Sequence, residues 1–236
     1  WAGFLFAAFY SVILLLFHPF ILRLLGAGDG TFSYCRSYMF WTCVIGGIPT
    51  VMNPLLAHLV RSEGASKEAS IGVSLGGVIN MILDPVFMFV LLPDGYEVMG
   101  AAMATMVSNC IAAIYFIVYI LRHRASSVLT LSPREFSVQE SIPADVVSIG
   151  LPSFLMTALS SASNAVVNNL ISEASSAAVA GMGIAKKINM LSFRVSTGVT
   201  QGALPLIAYN HSAGNYTRMK RSIAGAAKIT VGFAAF

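Results

Sequence analysis

The sequence predicts an all-α membrane protein, a polytopic bundle of transmembrane helices, on three observations. Hydrophobic residues make up 56% of the 236 and charged residues only 10%, and the mean hydropathy is +0.77. A soluble domain carries about 25% charged residues. The apolar residues also gather into runs of the roughly 20 residues that a span requires. None of these runs alternates with period two as a barrel strand would, so helices remain the way to satisfy the backbone in lipid.

The runs follow one another with alternating punctuation. Trp1–Leu25 ends at the loop Gly26–Ser33, which holds Asp29 and no Lys or Arg. Tyr34–Val60 ends at Arg61-Ser-Glu-Gly64, with Lys67 beyond it. Ala69–Leu92 stops at Pro93–Glu97, whose only charges are Asp94 and Glu97. Val98–Leu121 is closed by Arg122, Arg124 and Arg134. Val146–Ser172 and Val179–Ala208 flank Glu173–Ala177, again without a basic residue. A seventh run starts near Ser222, after Arg218, Lys220 and Arg221. Basic loops face the cytoplasm, and every loop obeys that bias. About six full spans and part of a seventh are expected. Because apolar runs open at Trp1 and close at Phe236, the chain is expected to be an internal piece of a longer membrane protein.

The longest connection, residues 122–145, includes Ser126, Ser127, Pro133 and Pro143 and an amphipathic stretch at Arg134–Val138. It is expected to be a cytoplasmic linker joining two lobes, 1–121 and 146–236. No internal repeat is legible.

Several function classes are unsupported. The net charge of +4 sits almost wholly in the cytoplasmic loops, which argues against nucleic acid, since that partner needs a basic face. Cys35, Cys43 and Cys110 lie in apolar segments and serve as small packing residues. Single histidines at His18 and His58 lack partners at ligand spacing, so no dedicated metal centre is expected. No Walker-type loop or nucleophile elbow occurs, and no organic cofactor is expected.

Asp84 is the most informative residue. A carboxylate inside a span is costly and marks a functional position. Gly72, Gly76, Asn80 and Asp84 recur every four residues, hence on one helix face. The glycines admit a neighbouring helix and the polar pair points into the contact. Pro85 follows directly, freeing the carbonyl of Met81 and bending the helix. One reading is a structural kink with the carboxylate paired to Asn80. The other is a small-cation or proton site, with Asn80 as a neutral oxygen ligand for a hard cation and Thr105 supplying a hydroxyl. Burial disfavours a charged carboxylate and a bound cation favours it, so a proton and Na⁺ would compete for such a group.

In the second half, Asn164 and Asn168 share a face at i, i+4, and Arg194 lies deep in the sixth run. These residues fit either helix–helix bonding or a polar cavity, and Arg194 could instead pair with an acid on a helix outside this chain. With Met182, Met190 and Gln201 they are the candidate substrate-cavity residues.

The segments resemble the MATE family of multidrug and toxic-compound extrusion transporters. The resemblance is carried by Ile48-Pro49, Arg61-Ser-Glu-Gly64, Asn80-Met-Ile-Leu-Asp84-Pro85 and Gly100-Ala-Ala-Met-Ala-Thr105. It continues through Ile149-Gly-Leu-Pro152, Gly183-Ile-Ala-Lys-Lys-Ile188, Ala203-Leu-Pro-Leu-Ile-Ala-Tyr-Asn210 and Ala213-Gly-Asn215. It implies twelve helices in two six-helix lobes, of which this chain spans the third to the start of the ninth. It also implies cation-coupled (Na⁺ or H⁺) export of small organic compounds by a monomer in the bacterial inner (plasma) membrane. Asn80, Asp84 and Thr105 match the first-lobe cation site, Tyr38 matches a tyrosine near it, and Pro85 becomes a hinge. The acid that some members carry after Gly-Leu-Pro is replaced here by Ser160, Ser161 and Ala162. That departure points to coupling through the first lobe, as in the DinF- and MepA-like branch. A lipid-linked saccharide flippase using Arg194 and Lys187 is the alternative function, and a membrane-embedded enzyme a remote one.

Overall fold

The computed structural model describes the backbone of all residues except 26, 27, 125, 126, 134–141, 175, 235 and 236. Side chains at 142, 143, 165, 168, 169, 172–174, 176–180 and 234 also lie outside the described set. The expected amphipathic stretch at Arg134–Val138 therefore falls outside it. Among the described residues the ordered elements are all helical, and the chain divides into two units, Trp1–Glu135 and Phe136–Phe236.

The first unit holds α1 (Ala2–Leu24), α2 (Asp29–Met39), α3 (Gly47–Ser62), α4 (Ser66–Val86) and α5 (Glu97–Arg122). The longest of these, α5, packs against α2, α3 and α4, and α1 lies on α3. Small residues make this close packing possible. Gly72 and Gly76 of α4 are buried. A side chain at Gly72 would run into Phe116 and Tyr115, and one at Gly76 would come 3.1 Å from the Ala112 methyl. The glycine stripe thus does what its spacing suggested: it seats α4 on α5. Beneath it, Leu56, Ala57, Val60, Ala69, Phe116 and Ile120 form the core that joins α3, α4 and α5.

The expected single span Tyr34–Val60 is not one straight helix. After α2 the chain winds as a π-helical segment, Phe40–Ile45, and meets α3 at a bend of 54°. The cause is local. Gly46 is buried, and a Cβ there would sit 2.6 Å from the Trp41 carbonyl and 3.1 Å from Met106 Cγ. Its N–H bonds back to Trp41 O at 2.9 Å, one residue further than in an α-helix. The carbonyls freed by the break find side-chain donors: Ser11 Oγ donates to Cys43 O (3.0 Å) and Thr50 Oγ1 to Thr42 O (3.3 Å). π-turns are uncommon and cluster at functional sites.

α4 runs through Pro85 to Val86 and continues as a π-helical segment, Phe87–Leu91, so that Ser66–Leu91 remains one apolar stretch without a break above 40°. The sharp bend in this unit belongs to Gly46.

The second unit consists of α6 (Ile142–Ala174), α7 (Ser176–Ser212) and α8 (Tyr216–Ala234). Each unit carries one instance of the same corner. Pro54-Leu-Leu-Ala57 leads into Gly64 and α4, and Pro205-Leu-Ile-Ala208 leads into Gly214 and α8. Both glycines are left-handed, with φ of +88° and +68°, a conformation that side chains with a Cβ avoid. The local repeat escaped notice in sequence because the proline-to-glycine distance differs by one residue.

Among the described residues, four helices are long and apolar enough to cross a membrane, or five if the bent pair counts as one span. This is fewer than the six expected. α7 is long enough but carries Lys186, Lys187 and Arg194, which lower its apolarity.

Candidate functional site

The polar residues of α4 and α5 meet where the glycine stripe brings the helices together. Asn80 and Asp84 are one helical turn apart, so the amide lies directly beside the carboxylate. Asn80 Nδ2 donates to Asp84 Oδ1 at 3.1 Å and reaches Thr105 Oγ1 on α5 at 3.4 Å. The Thr105 hydroxyl donates to the carbonyl of Ala101 (2.9 Å), which leaves its lone pairs turned toward Asn80. All three side chains are half-buried. The structure thus gathers three of the residues singled out in sequence into one cluster.

Asp84 has no cationic partner among the described residues. A carboxylate inside a membrane span marks a functional position, and the neighbouring groups can act on it in two ways. With its NH₂ turned inward, Asn80 stabilises the carboxylate. With the amide rotated by half a turn, its oxygen would join those of Asp84 and Thr105 as a ligand for a hard cation. No group of three His, Cys, Asp or Glu side chains forms a metal centre among the described residues. One carboxylate with neutral oxygens suits weak, reversible cation binding better than a permanently held metal.

The cluster continues beyond Thr105 through residues that sequence reasoning did not select. Asn109, one turn further along α5, donates to the Thr105 carbonyl (3.1 Å) and lies 3.5 Å from Thr50 Oγ1. Its own Oδ1 accepts from Asn53 Nδ2 of α3 at 2.8 Å. Thr50 in turn bonds Thr42 O in the π-helical segment, and Thr42 Oγ1 donates to Tyr38 O at 2.7 Å. A hydrogen-bonded thread therefore leads from Asp84 across α5 to α3 and the Gly46 bend. The signal available in sequence was Thr105 and Asn109 at i, i+4 on an apolar helix. Asn53 Oδ1, although buried, accepts no hydrogen bond among the described residues.

Tyr38 stands outside the trio. Its side chain is exposed and lines a cavity of about 760 Å³ between α1 and α2, together with Tyr10, Thr42 and Cys43. Pro85 is exposed on α4. In the second unit, Asn164 bonds its own helix at Ser160 O (3.0 Å), and Met182, Met190 and Arg194 are exposed. Gln201 is half-buried, and the side chain of Asn168 lies outside the described residues.

Comparison with known proteins decides the family. A sequence model described as MatE matches residues 152–236. The multidrug export protein MepA of Staphylococcus haemolyticus is 32% identical over 216 residues, covering 90% of this chain and 46% of its own length. MepA of Staphylococcus saprophyticus is 30% identical over 205 residues, covering 86% and 44%. The chain belongs to the MATE family. Solved MATE structures share its fold: one in the straight conformation matches 98% of this chain and 51% of that one, with a TM-score of 0.83 at 23% identity. A MOP-superfamily transporter from Pyrococcus furiosus matches 97% and 50%, with a TM-score of 0.82 at 23% identity. The MATE chain spans about half the length of the curated relatives it matches. It is an integral membrane protein, in keeping with its apolar helices.

Proposed function

We propose that the whole protein is a multidrug efflux antiporter, a secondary transporter and not an enzyme, acting as a monomer. In this reading inward movement of Na⁺ or H⁺ drives outward movement of small organic compounds. The family membership and the name multidrug export protein carried by the MepA relatives support export of such compounds. The uncompensated carboxylate of Asp84, flanked by Asn80 and Thr105, supports the coupling site.

The proposed mechanism needs only differential affinity. Cation binding at Asp84 shifts the conformational balance toward whichever state binds the ion more tightly, and only to that extent. The energy of the ion gradient reaches the drug cavity because the two conformations also differ in their affinity for substrate. Asn80 sits at the junction, since its amide contacts both α4 and α5 groups and can present either a donor or an acceptor.

The test is Asp84→Asn in the full-length protein, reconstituted in liposomes with a cationic dye and an imposed Na⁺ or H⁺ gradient. Ion-driven efflux should fall to the level of empty liposomes while membrane insertion stays normal. Undiminished gradient-driven efflux would remove Asp84 from the mechanism.

A further inference from the structure

Glu63 lies in the corner between α3 and α4, and its carboxylate is occupied by a segment distant in sequence. Oε1 accepts from Ser127 Oγ (2.7 Å), from the backbone N–H of Val128 (2.8 Å) and from that of Leu129 (3.1 Å). Oε2 accepts from Ser127 Oγ at 2.9 Å. The Leu129 N–H is shared with Ser127 Oγ at 3.0 Å. Tyr119, stacked on His123 with ring centroids 4.3 Å apart, forms the neighbouring wall of the same small cavity.

The segment held there is fixed on its other side as well. Ser127, Leu129 and Leu131 are half-buried while Val128 and Thr130 point outward, the alternation of an extended chain lying on a surface. Leu129 and Leu131 pack against the α3–α4–α5 core. Residues 127–133 are therefore strapped to the first unit, although their composition reads as free linker.

We propose that Glu63 is a positioning residue that clasps this strap and so sets the length of the tether between the two lobes. The proposal rests on the alternating-access transport proposed above, in which the lobes move against each other. With the clasp closed, nine chain steps separate Pro133 from Ile142, a reach of at most about 30 Å. If without it Leu129 and Leu131 also lift from the core, the tether starts at Arg124, and eighteen steps allow about 60 Å. A carboxylate can hold both amides and the hydroxyl together because charged acceptors bind such donors more strongly than neutral ones. Leu129 and Leu131 alone would leave the Val128 and Leu129 amides to water.

Two measurements on the full-length protein in lipid nanodiscs test this. Amide hydrogen exchange at Val128 and Leu129 should quicken by at least about tenfold in Glu63→Ala, given the strength of hydrogen bonds to a charged acceptor. Glu63→Gln, which keeps one acceptor oxygen in place, should fall between Glu63→Ala and the native protein. Spin labels at Lys67→Cys and Ser148→Cys, on a background without the native cysteines, should give a broader inter-lobe distance distribution in Glu63→Ala than in the native sequence. Unchanged exchange would overturn the clasp, and quickened exchange with an unaltered distance distribution would overturn its role as a tether stop. Should Glu63→Ala fail to fold, Ser127→Ala and Glu63→Gln carry the same two readouts. Neither readout needs ion-driven efflux, so an active Asp84→Asn protein would sink the coupling site and leave the clasp to be judged on its own data.

Discussion

The Asn53–Asn109 pair makes an asymmetric prediction about stability. The two amides share one short bond, Asn53 Nδ2 to Asn109 Oδ1 at 2.8 Å. The Asn109 Nδ2 keeps a second bond to the Thr105 carbonyl within its own helix, whereas Asn53 Oδ1 is buried and accepts nothing among the described residues. An interhelical hydrogen bond in a membrane is worth about 0.6–2 kcal/mol, and a buried group left unsatisfied costs about 1–3 kcal/mol. Asn109→Leu removes the bond and strands the whole Asn53 amide, so it should destabilise by about 2–3 kcal/mol. Asn53→Leu loses the same bond and leaves Asn109 Oδ1 without its donor, but Asn109 is the more exposed of the two and the orphaned Asn53 oxygen is removed. The cost should therefore stay below that of Asn109→Leu, at about 1 kcal/mol. In the double variant nothing remains unpaired except local bonds of α5, so its stability should track Asn53→Leu and lie well above additivity. Reversible unfolding of the full-length protein in mixed micelles would measure all four corners of the cycle. Equal costs for the two single variants, or strict additivity, would show that the orphaned acceptor carries no penalty and that this account of the pair is wrong.

Other substitutions probe the helix contact and the cation cluster. Gly72→Val places a branched side chain against Phe116 and Tyr115; it should cost about 1–3 kcal/mol by overpacking and lower the thermal midpoint, while Gly77→Ala, open on that side, should not. Thr105→Val should weaken Na⁺ binding, read by isothermal titration or by the Na⁺ dependence of dye efflux, and Thr105→Ser should restore it, because the hydroxyl facing Asn80 is what matters.

How much was legible in the sequence follows from the range of each interaction. Asn80 and Asp84 bond within one helical turn, so spacing alone placed them together. Thr105 belongs to the next helix, and only the glycine stripe at Gly72 and Gly76 hinted which face of α4 would meet it. Asn109 offered only its i, i+4 spacing from Thr105, and Asn53 and Thr50 were invisible for the opposite reason: each reads as an isolated polar residue until the helices are packed. The bend at Gly46 was missed because an apolar run looks the same whether it is continuous or wound as a π-turn. What betrays the break is the buried glycine with a carbonyl behind it, a tertiary fact. The strap at 127–133 was hidden likewise. Its serines and neighbouring arginines have the composition of a loop, and only Glu63, 64 residues earlier than Ser127, turns it into a fixed part of the lobe.

The placement of the sharp bend bears on how ion occupancy could be felt elsewhere. Pro85 adjoins Asp84 but leaves Ser66–Leu91 without a break above 40°. Gly46 lies on a different helix, yet it is joined to Asp84 through Thr50, Asn109, Thr105 and Asn80. If the Asn80 amide rotated on cation binding, as the proposed coupling would have it, its donor would leave the Thr105 hydroxyl, while Asn109 would keep its bond to the Thr105 carbonyl. The weakest contacts, at 3.4–3.5 Å, are those crossing from α4 to α5 and from α5 to Thr50. Those crossings are where a change at the carboxylate would first be felt, and the carbonyls freed around the Gly46 bend can exchange partners at low cost. In the proposed cycle the Gly46 bend, tied to Asp84 by this thread, joins Pro85 as an element at which the lobe could flex.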